Sequence, residues 1–404
     1  MTPSHPSHPS HPSYPSHPSH PSPPSLPPGW RWVRLGEVCE LYQPETISIE
    51  QIQRSPGPYT VFGANGIIGR YSRYNHQDTE VLVSCRGTCG TVNMSEKMCW
   101  ITGNSMVVHP KEDGMEKRFL FWTLRASNLQ VTLSGSAQPQ ITRQSLSPLE
   151  IPLPPLEEQK RIAAILNEQM AVVGRARAAA EARLEAAKAL PAAFLRRVFP
   201  QAGQALPPGC RWVKIGEVCE QRTGNCDPRL KPDQPFRYVD ITGVDNRTKR
   251  IVEAKTILGR DAPSRARQIM HTSDVILSTT RPTLNAVAIV PPELDSQICS
   301  TGFCVLRTTP DLEPTYLFPF VQTDDFVQRL SDLVKGALYP AVTDKQVREQ
   351  VIPLPPLEEQ KRIAVILNEQ MAAGERLRKA IEEELEAINR LPAALLRRAF
   401  NGEL

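Results

Sequence analysis

Much that would assign an activity is missing from this 404-residue chain. No apolar run reaches the roughly 18 residues that a membrane helix needs, so no span is expected. The first residues offer no basic segment followed by an apolar stretch, so no secretory signal is expected. The nine cysteines are odd in number, and none forms a CxxC pair. Cys85 and Cys89 come nearest, in RGTCG. A lone CxxxC is a poor zinc signal, and no metal site is expected. Reduced thiols in a cytoplasmic protein are the resulting expectation. GxxxxGK(S/T), GxSxG and HExxH are absent. Gly63, Gly66 and Gly69 spell GxxGxxG, which suits turns and not a dinucleotide. Only His76, His109 and His271 lie beyond the first 25 residues. No Asn/Asp-Pro-Pro-aromatic motif of amino-methyltransferases occurs, so catalytic residues are expected to be none.

Charge of either sign is absent from residues 1–25, where the text repeats Ser-His-Pro and holds five of the eight histidines. With nothing apolar to bury, that segment is expected to be disordered with polyproline II character. His5, His8 and His11 would share one edge of it, a weak metal site at best. The remaining charge is evenly mixed. Residues 26–150 hold 12 basic and 11 acidic side chains, and residues 200–351 hold 19 and 18. Any nucleic-acid binding must come from local clusters.

What is present is an internal repeat. LPPGWRWVRLGEVCE at 26–40 returns as LPPGCRWVKIGEVCE at 206–220, and IPLPPLEEQKRIAAILNEQMA at 151–171 returns at 352–372 with one change. LPAAFLRRVF at 190–199 returns as LPAALLRRAF at 391–400. The middles, about 41–150 and 221–351, are dissimilar, and the offsets of 180 and 201 make the second 21 residues longer. The boundaries are therefore a tail at 1–25, inserts at 26–150 and 201–351, and helices at 151–200 and 352–404. Two constant frames hold two different inserts, whereas a duplicated enzyme would keep its middle alike.

The constant ends predict long helices. Pro154-Pro155 suits a helix start, and Glu157 and Glu158 favour its dipole. Leu166, Val173, Ala180 and Ala187 recur at seven, with Met170, Arg177 and Leu184 as the alternate row. The second copy gives Leu367, Gly374, Ile381 and Ile388, with Met371, Arg378 and Leu385. Small residues in one row meet large ones in the other, which predicts an antiparallel pair with Val173 near Ile381. Residues 156–189 would span about 50 Å at 1.5 Å rise. Pro191 and Pro392 are expected to break each helix and open a short terminal turn. The alternative is a helix that only caps its own domain. YTVFGANGIIGRYSRY, EVLVSCRGTCGTVNM, WITGNSMVVHP, SDVILSTTRPTLNAVAIVPP and QICSTGFCVLRTTP predict glycine-punctuated strands, and 116–130 and 314–335 predict helices. The fold class is α+β.

GANGIIGRYSRY, RGTCGTV, ITGNSMVVHP, GSAQPQIT, GALYPAVTDKQV and the twice-present IPLPPLEEQKRI resemble the specificity (S) subunit of type I restriction–modification enzymes. The resemblance covers residues 26–400. It implies that each insert is a strand-rich target recognition domain reading one half of a split target in double-stranded DNA. It implies that the repeated helices are conserved spacers in a pseudo-twofold coiled coil. They would fix half-site separation and dock two modification (methyltransferase) subunits. Those would hold S-adenosylmethionine and methylate adenine, and motor-nuclease restriction subunits would add ATP- and Mg-dependent translocation and cleavage. No cofactor is implied in this chain, which would carry no active site. The first 25 residues depart from the pattern.

DNA contacts are expected in polar loops, where Arg or Gln forks reach base edges. The first insert supplies Arg70, Arg73, Arg86, Gln138, Gln140 and Arg143. The second supplies Arg247, Lys249 and Arg250 of RTKR, Arg260, Arg265 and Arg267 of GRDAPSRAR, and Arg281, Asn285, Lys335 and Tyr339. A solvated charge or an ion pair is the competing role for each. Trp30, Trp32 and Trp212 in the repeated heads are expected to pack in cores. Two other functions remain open: recognition subunit of an enzyme whose methylation and cleavage share one partner chain, and a coiled-coil scaffold that binds no DNA.

Overall fold

A computed structural model describes residues 26–111, 114–135, 138–336 and 338–404. The Ser-His-Pro segment lies outside the described residues. By contacts the chain forms two units, one ending at Arg177 and completed by Ala387–Leu404, the other Ala178–Glu386. Each unit thus takes the start of one long helix and the end of the other.

Both units are built on one plan. In the first, strand Arg31–Arg34 pairs antiparallel with Glu150–Leu153, Arg31 opposite Leu153. In the second, Arg211–Lys214 pairs with Val351–Leu354, Arg211 opposite Leu354. The two ends of each insert are therefore hydrogen-bonded side by side, one step before the long helix. Gly36 sits at that junction, where a Cβ would lie 1.9 Å from the Ser147 hydroxyl. The double prolines follow, then helices Leu156–Val198 and Leu357–Phe400.

Between the paired ends the inserts differ. The first carries a four-stranded sheet in the order Cys39–Tyr42, Ser105–Pro110, Val81–Ser84, Val92–Met94. A three-stranded sheet of Gly66–Tyr71, Tyr59–Gly63 and Trp100–Ile101 accompanies it. Helix Lys117–Ala126, capped by Glu116, buries Phe119, Leu120, Trp122 and Leu124. The second insert orders Lys255–Leu258, Pro235–Val239, Gln297–Ser300, Ala266–Met270 in one sheet and Val287–Ile289, Val275–Ser278, Phe303–Leu306 in another. Helices Pro314–Phe320 and Asp324–Asp332 cover it. Both inserts mix strands and helices, as the α+β reading expected.

A repeated glutamine ties each insert to its helix. Gln159 is 1% exposed and accepts from the Glu116 N–H at 2.9 Å. Its amide donates to the Gly114 and Pro154 carbonyls, both at 2.9 Å. Gln360, also 1% exposed, accepts from the Glu313 N–H and donates to the Asp311 and Pro355 carbonyls. The charged residues of LEEQKR pair with one another at the surface. Glu157–Lys160 and Glu158–Arg161 form pairs three residues apart, as do Glu358–Lys361 and Glu359–Arg362.

Within the second unit the long helices run antiparallel. Arg183 grips Glu384 with both guanidinium ends, while farther along Leu195 shares a core with Leu367 and Met371. In the first unit, Arg161 donates to the Leu404 carbonyl at 2.6 Å, and Leu166 and Met170 share a core with Leu395, Leu396 and Ala399. Leu166, Ala180, Ala187, Leu367, Gly374 and Ile381 are buried, and Met170, Val173, Leu184, Met371, Leu385 and Ile388 half-buried. Arg378 keeps 14% of its side chain exposed and is neutralised by Glu375 and Glu382. Arg177 is exposed. The register differs from expectation: the Arg183–Glu384 bridge puts Ile381 across from Ala187, not Val173. The small-against-large rule holds, but two heptads along, about four helical turns.

The helices also do not break at proline. Pro191 and Pro392 lie inside them. An interior proline costs about 3 kcal/mol. Past Pro191, Leu195 and Phe199 are each 4% exposed in the second unit's core. Two such side chains return about 3–6 kcal/mol by burial, enough to keep the last turns helical. Leu395, Ala399 and Phe400 do the same in the first unit.

Cysteines placed at Ala187 and Ile381 should form an intramolecular disulfide on oxidation, read by gel mobility, while a Val173/Ile381 pair should not. Replacing Gln360 with Leu should lower the stability of the second unit by roughly 3 kcal/mol in urea unfolding, since each orphaned buried group costs about 1–3 kcal/mol.

Candidate nucleic-acid interface

In the first unit, three loops meet at one end of the sheets. The hairpin of Tyr59–Gly63 and Gly66–Tyr71 turns at Ala64-Asn65, with Gly66 at φ 97°, where side chains are strained. The Ser84 hydroxyl donates to the Ala64 carbonyl, and that of Thr88 to the Asn65 side-chain oxygen. This fixes the hairpin tip against the loop carrying Arg86. The Ile141 N–H donates to the Cys85 carbonyl at 3.0 Å. The Cys89 thiol donates to the carbonyls of Cys85 at 3.1 Å and Pro139 at 3.2 Å. The Gln138–Ile141 stretch is thereby held beside both.

Arg86, Gln138 and Gln140 thus gather on one exposed surface, and Arg143 opens a short helix just beyond, capped by Thr142. Arg70 and Arg73, also exposed, lie at the other end of the hairpin, where Arg70 donates to the Pro58 carbonyl at 2.8 Å. Sequence reading did not single out Asn65, Thr88 or the exposed Ile67 at the tip. The places of Asn65 and Thr88 inside GANG and RGTCG, and of Ile67 just after GANG, were the available signal. Burial pushes the Cys85 thiol up to about 11, so it stays protonated at neutral pH.

In the second unit the candidates separate into three groups. Arg260 pairs with Asp233 at 2.6 Å and Arg267 with Asp227 at 2.9 Å. Asp227 is also bound by Arg229, whose hydrogen bond holds its carboxylate down to about 2. Arg265 is exposed beside them. Arg247 lies in the turn between Val244–Asp245 and Arg250–Ile251, and Arg250 opens the second strand. The hydrogen bond from Arg378 holds Glu375 of the long helix below its usual range, and the charges of Arg247 and Arg250 add to it.

The third group surrounds the loop Arg281–Asn285. Lys249 donates to the Asn285 carbonyl at 2.6 Å. The Arg281 N–H donates to the Pro340 carbonyl at 2.8 Å, and Val342 N–H to the Thr279 carbonyl at 2.9 Å. These bonds bring Pro340, and Tyr339 next to it, alongside. Arg281 and Lys335 are exposed, Tyr339 84% so, and Asn285 is half-buried. Burial pulls the Lys249 ammonium down to about 8, against the opposing pull of Asp245. Trp30 packs on the first core, while Trp32 and Trp212 are half-buried, the latter donating to the Gln204 carbonyl. Among the described residues no helix is long and apolar enough to cross a membrane.

Residues 27–171 and 209–387 match the type I restriction modification DNA specificity domain. The specificity subunit of the Escherichia coli type I restriction enzyme EcoDI is 22% identical over 94% of this chain and 89% of its own length. That of the Methanocaldococcus jannaschii enzyme MjaVIII is 23% identical over 94% of both chains. Among solved structures, a chain from work on complex assembly and conformational transition of a type I R-M system aligns with TM-score 0.71 at 25% identity, over 95% of this chain and 100% of that one. The HsdS subunit from Thermoanaerobacter tengcongensis aligns at TM-score 0.61 and 25% identity, over 95% and 99%.

A lysine whose pKa is lowered by folding binds its proton more tightly in the unfolded chain. Stability should therefore rise with pH between about 8 and the ordinary lysine value of 10.5. The difference in unfolding free energy between wild type and Lys249→Met should grow in favour of wild type across that window, as read by urea unfolding at stepped pH.

Proposed function

The chain belongs to the type I restriction–modification specificity-subunit family, and we propose that it reads a bipartite, asymmetric DNA target, one half-site with each unit. It docks two modification subunits and the motor-nuclease restriction subunits on its helical frame. The observation that carries this reading is the identical clamp and strand closure under two dissimilar loop surfaces. A constant frame under unlike surfaces suits one assembly plan with two sequences to read.

Chemistry falls to the partners. S-adenosylmethionine would sit in the modification subunits, and ATP and Mg in the restriction subunits. This chain would contribute position and sequence choice. On each unit, Arg, Lys and Asn/Gln side chains address base edges in the grooves, while neighbouring cations neutralise phosphates. Arg86, Gln138, Gln140 and Arg143 serve the first half-site, and Arg281, Asn285, Lys335 and Tyr339 the second. Arg70 and Arg73 lie farther out and suit phosphates. Arg260 and Arg267 keep their ion pairs, with Arg265 beside them, and Arg247 and Arg250 face the long helix. The near-balanced charge of +4 suits a subunit that shares phosphate neutralisation with its partners.

The test maps methylated adenines in cells that carry this chain with its modification partner. One helical turn inserted into each long helix adds about 5.4 Å, or one to two base pairs at about 3.4 Å each. The spacer should lengthen by that amount and both half-sites should stay the same. Altered half-sites would overturn the ruler, and a target without two parts would overturn the bipartite reading.

A further inference from the structure

The second unit's loop Arg281–Asn285 stands out by its backbone. Arg281 has φ 49° and Asn285 φ 44°, and the lysine bonded to Asn285, Lys249, has φ 56°. Half of the six non-glycine residues with positive φ among the described residues therefore meet at one place. Such backbone persists only where the surroundings over-determine it. Here the surroundings are explicit. Pro282–Leu284 form one tight turn, closed by the Leu284 N–H to the Arg281 carbonyl and the Asn285 N–H to the Pro282 carbonyl, both 2.9 Å. Pro340 holds the front of the loop through the Arg281 N–H at 2.8 Å. Lys249 holds its back through the Asn285 carbonyl at 2.6 Å. Lys249 is itself set by its N–H bond to the Asp245 carbonyl at 2.8 Å. The Asp245 carboxylate closes that turn, accepting from the Arg247 N–H at 2.8 Å and the Thr248 hydroxyl at 2.9 Å.

One polar atom in this arrangement is left over. The Asn285 side-chain oxygen is out of water and has no donor. An orphaned buried acceptor is costly in the free protein, and any partner that supplies a donor recovers that cost. A carboxamide matches one base edge in both directions: its oxygen accepts from the adenine 6-amino group while its nitrogen donates to N7.

We propose that Asn285 reads an adenine in the second half-site, and that Lys249 is its positioning residue and makes no base contact of its own. This rests on the DNA-reading function proposed above. Lys249 clamps the backbone carbonyl of Asn285, so it fixes where the amide can turn. Its ammonium is spent on that carbonyl and is half-buried, unlike the exposed Arg281 and Tyr339 around it.

The test uses the full chain reconstituted with its modification partner, and duplexes of the mapped target. Each adenine is replaced in turn by purine riboside's deoxy form, which lacks only the 6-amino group, and affinity is read by electrophoretic retardation. In wild type, one second-half adenine should lose about tenfold or more, the size of a good bidentate contact. Asn285→Ala should abolish that sensitivity. Lys249→Met should reduce it most of the way, and Lys249→Arg should restore it. Sensitivity to first-half positions should be unchanged in every variant. A Lys249→Met protein that weakens all duplexes equally, or keeps full sensitivity at that adenine, overturns the positioning role. A wild type with no sensitive second-half adenine overturns the Asn285 assignment. A wild type that binds target and scrambled duplex alike overturns the DNA-reading function itself, and is recognised by that result alone.

Discussion

Everything in this molecule hangs on a carboxamide that is nearly out of water. Gln159 and Gln360 each make three hydrogen bonds, to one N–H and two carbonyls. The N–H belongs to Glu116 or Glu313, the residue that caps the insert's own helix. One carbonyl belongs to the chain just before that cap, and the other to the proline pair that starts the long helix. A single side chain thus fixes three backbone segments. Glutamine has both a donor and an acceptor on one rigid plane, so glutamate would face carbonyls without protons and leucine would leave all three groups unpaired. The identity of PLEEQ between the two copies follows from this geometry.

Around that point the forces divide cleanly. The frame is held by apolar burial, in which Leu166, Leu195, Leu367 and Ala399 are at or below 4% exposure. That burial is strong enough to carry the helices through Pro191 and Pro392. The loop surfaces are held by short polar bonds, Thr88 to Asn65 and Lys249 to Asn285 among them. Polar anchoring leaves the outer side chains free of packing constraints. Exposed Arg86, Gln140, Arg281 and Tyr339 can therefore be chosen by what they touch outside the protein.

The frame was largely legible in the sequence because it was written twice. Repetition marked the heads, the helices and their seam, and the contrast of a small row at Ala180 and Ala187 with a large one at Ile381 and Ile388 pointed to a paired, antiparallel arrangement. The register was not legible, because a heptad is compatible with any whole-heptad slip and the Arg183–Glu384 bridge uses residues outside the seam. The proline rule failed because it is local, while Leu195 and Phe199 are packed by distant parts of the chain. Polar loops were found by composition, which ranks all their cations alike. Only the folded chain separates Arg260 and Arg267, which have acidic partners, from Arg281, which has a backbone clasp.

The paired strand ends at Arg31–Arg34 with Glu150–Leu153, and at Arg211–Lys214 with Val351–Leu354, have a consequence for descent. An insert that leaves and returns through adjacent, hydrogen-bonded strands presents the same two ends to the frame whatever its length. Loop-closure entropy grows only slowly with length, so the 21 extra residues of the second insert add little cost. Lineages of such a protein can exchange or remodel one insert while the other half and the frame are inherited unaltered. Selection can then act on each half of the molecule as a separate heritable character.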